Sequence, residues 1–311
     1  MSLVVTGTIG IDDIVTPSGH AEKVLGGSCM YFSAAASFYG PVRLVAVVGD
    51  DFPDAFRQTL HRFPGIDAAG LETRKGGKTF RWGGKYHDNM DSRDTLFTEL
   101  GVVAEAPPAV PAAYADSRFV FLANSHPAVQ LGFLEQLPKR ALAVADTMDL
   151  WINTAKDHLL VLLRKVDGLV LNYDEAEQLT SRRNTVAAGR HLLDMGPRFV
   201  VIKKGEHGCL LVHRDGVCAL PAFPTENVVD PTGCGDTFAG GLMGAIAHHK
   251  PSASQPADPD PGSFASVRRA LVHGTVIASF TIEAFSLDRL TQLARRDIDQ
   301  RYDQYAAMVR V

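Results

Sequence analysis

Short runs of apolar residues recur along the chain, at Leu44 to Val48, Phe119 to Leu122, Ala141 to Ala145, Gly168 to Leu171 and Phe199 to Ile202. They are too short for helices and apolar at successive rather than alternate positions, which predicts strands buried on both faces. Stretches with helical spacing lie between them, such as Asp174 to Thr180 and Val186 to Met195, the latter closed by Gly196-Pro197. This alternation predicts βαβ units, and so an α/β fold whose mainly parallel sheet is covered by helices on both sides. Met1 to Gly7 reads as the first core strand and has neither a charged leader nor a cleavage site, which predicts a cytoplasmic protein.

Two regions break the rhythm. Lys78 to Tyr86 and Thr98 to Ala104 read as strands with no helix between them, predicting a small separate sheet that serves as a lid. On this pattern residues 1–311 form one domain, with the lid built from about residues 12–25 and 70–104. Alternation along the first lid strand puts Arg81 on the face opposite Phe80 and Trp82. The proline-rich run Pro251 to Gly262 cannot pack a core and reads as an exposed loop.

Composition narrows the function classes. With 31 Lys+Arg against 35 Asp+Glu and no basic block, the chain has no charge track for a nucleic-acid backbone. No apolar stretch approaches the roughly 20 residues of a membrane span. The four cysteines, Cys29, Cys209, Cys218 and Cys234, form no C-x-x-C pair, so reduced thiols are expected rather than a zinc site. The partner is then a small molecule, and an uncovered lid edge leaves both a monomer and a homodimer through the lid open.

Chemistry concentrates in Asp230-Pro231-Thr232-Gly233-Cys234-Gly235-Asp236, directly before the apolar, helix-like run Thr237 to Ile246. A glycine loop on a helix start offers unpaired N–H groups and a positive dipole end to an anion, and phosphate is the obvious one. Asp236 falls in the first turn, able either to cap the helix or to face whatever lies above the anion site. Gly240, Gly241 and Gly244 inside the helix each cost about 1 kcal/mol against Ala, implying close packing of sheet or ligand. Competing motifs fail: Gly77-Lys78-Thr79 has Glu72 where a P-loop needs its first glycine, and His20-Ala21-Glu22 has no Pro-Cys-x-x-Cys partner.

Asp-Pro-Thr-Gly-Cys-Gly-Asp-Thr-Phe-Ala-Gly-Gly closely resembles the C-terminal signature of the ribokinase (PfkB-type) carbohydrate and nucleoside kinases. The likeness extends to Gly26-Gly27 with the small-residue helix Ser33 to Ser37, and to Gly7 to Asp12 as the first strand and substrate aspartate. Asn172-Tyr173-Asp174-Glu175 is similar to the family's N-x-x-E motif, and Lys203 to Gly208 to its nucleotide loop. Read from the residues alone, the first is a helix cap and the second a hairpin turn.

The resemblance implies a ribokinase-like three-layer α/β/α fold with a small β-sheet lid, and an ATP- and Mg²⁺-dependent kinase. It implies Asp236 as catalytic base with Gly233, Cys234 and Gly235 around the transferring phosphoryl group. It implies Asp12, Gly26 and Gly27 as substrate contacts, to which Arg81 on the lid and Asn124 after a strand end are added; Asp13 is the alternative ligand to Asp12. ATP contacts fall to Asn172, Lys203, Gly205 and Gly208, Mg²⁺ to Glu175 through water, and a potassium site to Asp230 and Thr232. Tyr31-Phe32 stands where many sugar kinases carry a substrate-binding Asn, which tilts the expectation toward a ribonucleoside. A nucleotide- or sugar-binding regulator without turnover and a vitamin kinase of the same superfamily are the alternatives.

Overall fold

In chain order the elements are β1 (Leu3–Thr6), β2 (Gly10–Thr16), β3 (Gly19–Gly26), α1 (Ser28–Ser37), β4 (Val42–Gly49), α2 (Asp54–His61), β5 (Ile66–Arg74), β6 (Phe80–Tyr86), β7 (Arg93–Glu99), β8 (Phe119–Leu122), α3 (Pro127–Glu135) and β9 (Leu142–Asp146). There follow α4 (Asp149–Thr154), α5 (Lys156–Leu163), β10 (Gly168–Asn172), α6 (Tyr173–Thr180), α7 (Thr185–Asp194), β11 (Phe199–Lys203), β12 (Cys209–His213), β13 (Gly216–Leu220), α8 (Cys234–Ala247), α9 (Phe264–Thr281) and α10 (Arg295–Val309). The computed structural model describes residues 2–249 and 258–310, so most of the loop expected at Pro251 to Gly262 lies outside the described residues.

Among the described residues nine strands form the main sheet, in the order β13-β12-β11-β10-β9-β8-β1-β4-β5. β12 runs antiparallel to both neighbours, and the pairs from β11 to β5 are parallel. Alternate residues of each central strand enter different layers, so Leu3 and Val5 pack with α1, α8 and α9, whereas Val4 packs with α3, α5, α6 and α7. This two-sided burial is the reason the strands read as unbroken apolar runs. The result is the α/β fold expected, with helices on both sides of the large sheet.

The second sheet has four strands in the order β3-β2-β6-β7. Its bounds differ from those read in the sequence. Residues 70–74 belong to β5 at the edge of the main sheet, and the strand after the turn is Arg93–Glu99, while Gly101–Ala104 is a 3-10 helix. β7 escaped notice because Arg93, Asp94, Thr95, Leu96, Thr98 and Glu99 are all exposed, leaving no apolar face for a pattern to reveal.

The glycines of α8 serve helix packing rather than sheet or ligand contact. A Cβ at Gly240 would lie 2.4 Å from the Phe32 carbonyl oxygen of α1, and one at Gly241 would lie 2.7 Å from the His273 carbonyl oxygen of α9. α8 is thereby clamped between two helices, with its N-terminus open to the cavity below.

Candidate active site

A cavity of about 490 Å³ lies between the small sheet and the main body, with Asp12, Tyr31, Trp82, Arg93, Asn124 and Asp236 among its lining residues. The main-body wall comes from strand ends. Parallel strands finish on one edge of the sheet, so Asn124 after β8, Asp146 closing β9, Asn172 closing β10 and Lys203 closing β11 lie along one line. That edge is where open α/β sheets receive ligands.

The helix start completes this wall. Gly233 is the N-cap of α8 with φ 77°, a conformation strained for any residue with a side chain, and a Cβ there would meet the Tyr31 ring at 2.4 Å. The Cys234 N–H is already taken by the Pro231 carbonyl at 3.1 Å, whereas the Gly233 and Gly235 N–H groups find no acceptor among the described residues. Of the loop glycines and Cys234, then, Gly233, which lines the cavity, and Gly235 keep open donors, and the Cys234 thiol is held neutral by burial, which raises its pKa.

Asp236, one residue on, opens on the cavity. Burial, then the Asp146 carboxylate, push its pKa up to about 7, opposed by Lys203 and Arg93. Lys203 Nζ stands 3.6 Å from Asp146 Oδ2 and so close under Gly235 that a Cβ there would sit 2.8 Å from it. Burial works against this ammonium, but the carboxylates of Asp146, Glu175 and Asp236 outweigh it and keep its pKa above the ordinary lysine value. Lys203, expected to touch ATP, is thus engaged with Asp146 inside the wall.

Asn172 and Glu175 form a reciprocal cap on α6: the Glu175 N–H donates to Asn172 Oδ1 and the Asn172 N–H donates to Glu175 Oε2, each at 2.8 Å. The cap expected from the residues alone is present, and the same Glu175 is buried beside Asp146. Burial first, with Asp146 adding and Lys203 opposing, pushes its pKa up to about 8. Three carboxylates around one ammonium leave an excess of negative charge that a divalent cation relieves, and hard oxygen donors suit Mg²⁺. No described residues form an all-protein metal cage, which fits an ion held chiefly by water and substrate phosphates.

Asp230 is fully buried; its Oδ1 accepts the Thr232 N–H at 2.8 Å and its Oδ2 has no partner. An orphaned carboxylate oxygen in such a place fits a cation. The Thr232 hydroxyl donates instead to Tyr86 OH at 3.2 Å, tying the loop to the small sheet.

The small-sheet wall follows from pairing. β2 and β6 run parallel with Asp12 beside Trp82 and Asp13 beside Gly83, so Asp12, Phe80 and Trp82 share the cavity face. Asp12 is 3% exposed, its Oδ1 has no partner, and burial followed by the Asp230 and Asp236 charges pushes its pKa up to about 8. Gly26 gives its carboxylate room, since a Cβ there would fall 1.9 Å from Asp12 Oδ2; Gly27 lines the cavity at the start of α1. Arg81 does not reach the cavity. Alternation turns it outward, where it pairs with Asp13 at 3.2 Å and Glu99 at 3.6 Å. The same pairing shows Asp13 engaged away from the cavity.

Asn124 does line the cavity, its Oδ1 accepting Trp151 Nε1–H at 2.9 Å. Tyr31 packs its ring against Gly233, whereas Phe32 stacks on Phe121 in the core at 4.3 Å between centroids. Lys203 to Gly208 is a hairpin loop between β11 and β12, and its Lys204 and His207 line a second cavity of about 410 Å³ with Cys209, Asn184 and Leu220. Gly205 and Gly208 shape this loop, both with positive φ. Sequence reading missed Asp146, Arg93, His126 and Trp151. Asp146 carried the signal used for Asn124, a polar residue directly after an apolar strand run.

The chain matches the model of the pfkB family carbohydrate kinases over residues 13–289. It is 30% identical over 259 residues to a cytidine kinase of Thermococcus kodakarensis, covering 81% of this chain and 90% of that protein. A nucleoside kinase of Burkholderia thailandensis, solved with inosine, superposes with a TM-score of 0.73 at 17% identity, covering 98% of this chain and 99% of that one. A ribokinase II of Escherichia coli, solved with ATP and Mg²⁺, gives 0.75 at 15% identity, covering 97% and 99%. At such identities these two structures bear on the fold.

Proposed function

The chain belongs to the pfkB family of carbohydrate kinases, ATP-dependent phosphotransferases with an alcohol acceptor, and on that premise we propose that it phosphorylates the hydroxymethyl group of a ribonucleoside with Asp236 as base. The observation that carries this reading is the two-walled cavity, with Asp236 and Gly233 on one side and Asp12 beside Phe80 and Trp82 on the other. An ionised Asp12 would accept hydrogen bonds from sugar hydroxyls, and the aromatic faces of Phe80, Trp82 and Tyr31 would take a base. The cytidine kinase relative supports the same choice over a simple sugar.

Asp236 would take the proton of the acceptor hydroxyl as its oxygen forms a bond to the γ-phosphorus and the bond to the ADP oxygen breaks. The Gly233 and Gly235 N–H groups and the α8 dipole would bear charge on the transferring group. Glu175 and Asp146 would hold Mg²⁺ through water, and that ion supplies neutralisation of the phosphate oxygens. The Lys203 ammonium would favour the ionised base, and Asp230 Oδ2 would receive K⁺. The second cavity, against the Lys203 to Gly208 loop, would hold the nucleoside part of ATP. The small sheet would act as a lid that excludes water. Its edges β3 and β7 leave a homodimer as well as a monomer open, which sedimentation decides.

Phosphate transfer measured against cytidine, inosine, ribose, fructose and phosphorylated sugars tests the acceptor. Transfer to nucleosides at least about tenfold more efficient than to free sugars is expected, a difference of about 1.4 kcal/mol in transition-state binding. Activity confined to free or phosphorylated sugars overturns the nucleoside assignment.

A further inference from the structure

Arg93 begins β7, the outer strand of the small sheet, and neither family motif nor sequence pattern points to it. Its position on the cavity wall results from a β-bulge. In the β6–β7 ladder Gly83 opposes Phe97 and Gly84 opposes Thr95, which leaves Leu96 as the extra residue. Without that insertion, alternation would place Arg93 and Thr98 on opposite faces, since five positions separate them. With it, Arg93 opposes Tyr86 and Thr98 opposes Trp82, and all four line the cavity. Leu96 is left 55% exposed, as a bulge residue with no core to enter.

The guanidinium of Arg93 lies over the Trp82 ring, 5.7 Å from its centroid. Nearby acids are engaged elsewhere: Asp94 with His87 Nε2 at 3.0 Å, and Asp91 with the Tyr173 hydroxyl at 2.8 Å. Arg93 itself has no ion pair among the described residues. The Asp91–Tyr173 bond joins the β6–β7 turn to the start of α6, two residues before Arg93. The Arg93 charge is among the smaller influences that oppose the rise in pKa which burial imposes on Asp236 and Glu175. A cation on the cavity wall, without an ion pair among the described residues and within electrostatic reach of Asp236 and Glu175, is placed to meet a phosphoryl group bound in that cavity.

We propose that Arg93 is a catalytic residue: set on the cavity face by the Leu96 bulge, its guanidinium binds the transferring γ-phosphoryl group from the small-sheet side. This rests on the reading of the cavity as a phosphoryl-transfer site. It makes transfer depend on the small sheet being docked, because one donor to the transferring group travels with that sheet.

The test is steady-state kinetics of Arg93→Met and Arg93→Lys with ATP and the best nucleoside from the panel. Loss of one such donor is expected to lower kcat for the methionine variant by about 100-fold to 1,000-fold, with the nucleoside KM within about threefold. Guanidinium ion at non-denaturing concentration is expected to restore part of the Arg93→Met rate. Turnover within about threefold of the parent, or a loss confined to the nucleoside KM, overturns the proposal, the latter assigning Arg93 to the base-stacking face with Trp82. Arg93 is exposed and without an ion pair, so these variants keep the fold. Deleting Leu96 is expected to give the same kcat loss, while Leu96→Ala, which keeps the strand length, retains parental turnover; a folded deletion variant with full activity overturns the bulge as the device. Failure of Asp236 as base would show in Asp236→Asn alone and leave guanidinium rescue of Arg93→Met intact.

Discussion

The two walls of the cavity are built on opposite principles. The main-body wall presents Asp236, behind which Asp146, Glu175 and Lys203 gather from neighbouring strand ends and a helix start, buried groups that perturb one another. The small-sheet wall shows its residues by alternation and bulges, and its outer strand β7 is largely exposed. On the proposed reading, the base and the magnesium-holding residues lie on the wall packed into the core, and the small sheet adds Arg93. The proposed acceptor contacts lie on the wall whose strands can change residue by residue without disturbing the core.

If that division holds, the largest effect belongs to the fixed wall. Asp236→Asn keeps size and removes the base, and turnover is expected to fall by about two to four orders of magnitude, measured as ADP release. In the parent the base must be ionised, so kcat/KM should rise as pH increases through about 7, the value to which burial and Asp146 push Asp236. A folded variant with near-parental turnover would break the comparison at its first point.

On the acceptor wall, Gly26→Ala drives a methyl into the space of the Asp12 carboxylate, 1.9 Å from Oδ2. Displacing that group by about 1 Å is expected to cost about 100-fold in kcat/KM for the nucleoside, while ATP binding, measured by calorimetry, stays unchanged. An equal loss in ATP affinity would show the two walls to be less separate than drawn.

Lys203 separates stability from chemistry. Lys203→Met leaves Asp146 and Glu175 buried without their cation, and a loss of about 3–5 kcal/mol is expected by denaturant unfolding. The double variant Lys203→Met with Asp146→Asn should recover part of it, because the uncompensated charge goes with its partner. Unchanged stability in the single variant would mean the ammonium is not the wall's counter-ion.

The smallest effect is predicted for Arg81→Ala, which removes a partly exposed pair with Asp13 on the outer face. Turnover and nucleoside KM are expected within about threefold of the parent, and stability within about 1 kcal/mol. A large rise in nucleoside KM would return Arg81 to the acceptor site and contradict the alternation of β6.

Legibility in the sequence divides along the same line. The buried strands β8 to β11 announced themselves because both faces are apolar, and Asp230 to Asp236 was visible because a glycine loop before a helix has a physical meaning wherever it stands. Arg81 and Arg93 show the opposite case. Each lies in a strand of the small sheet, and which of them faces the cavity depends on pairing partners and on one extra residue at position 96.

The sequence by itself determined the layered α/β architecture, the helix start that receives an anion, the acid beside it and the class of reaction, since these rest on local periodicity and short contiguous motifs. Only the tertiary structure brought Asp146 and Lys203 beneath Gly235, turned Asp12 inward and Asp13 outward, and set Arg93 over Trp82. Those placements depend on strand order, register and bulges, properties of pairs of segments distant in the chain, and no single stretch of residues encodes them.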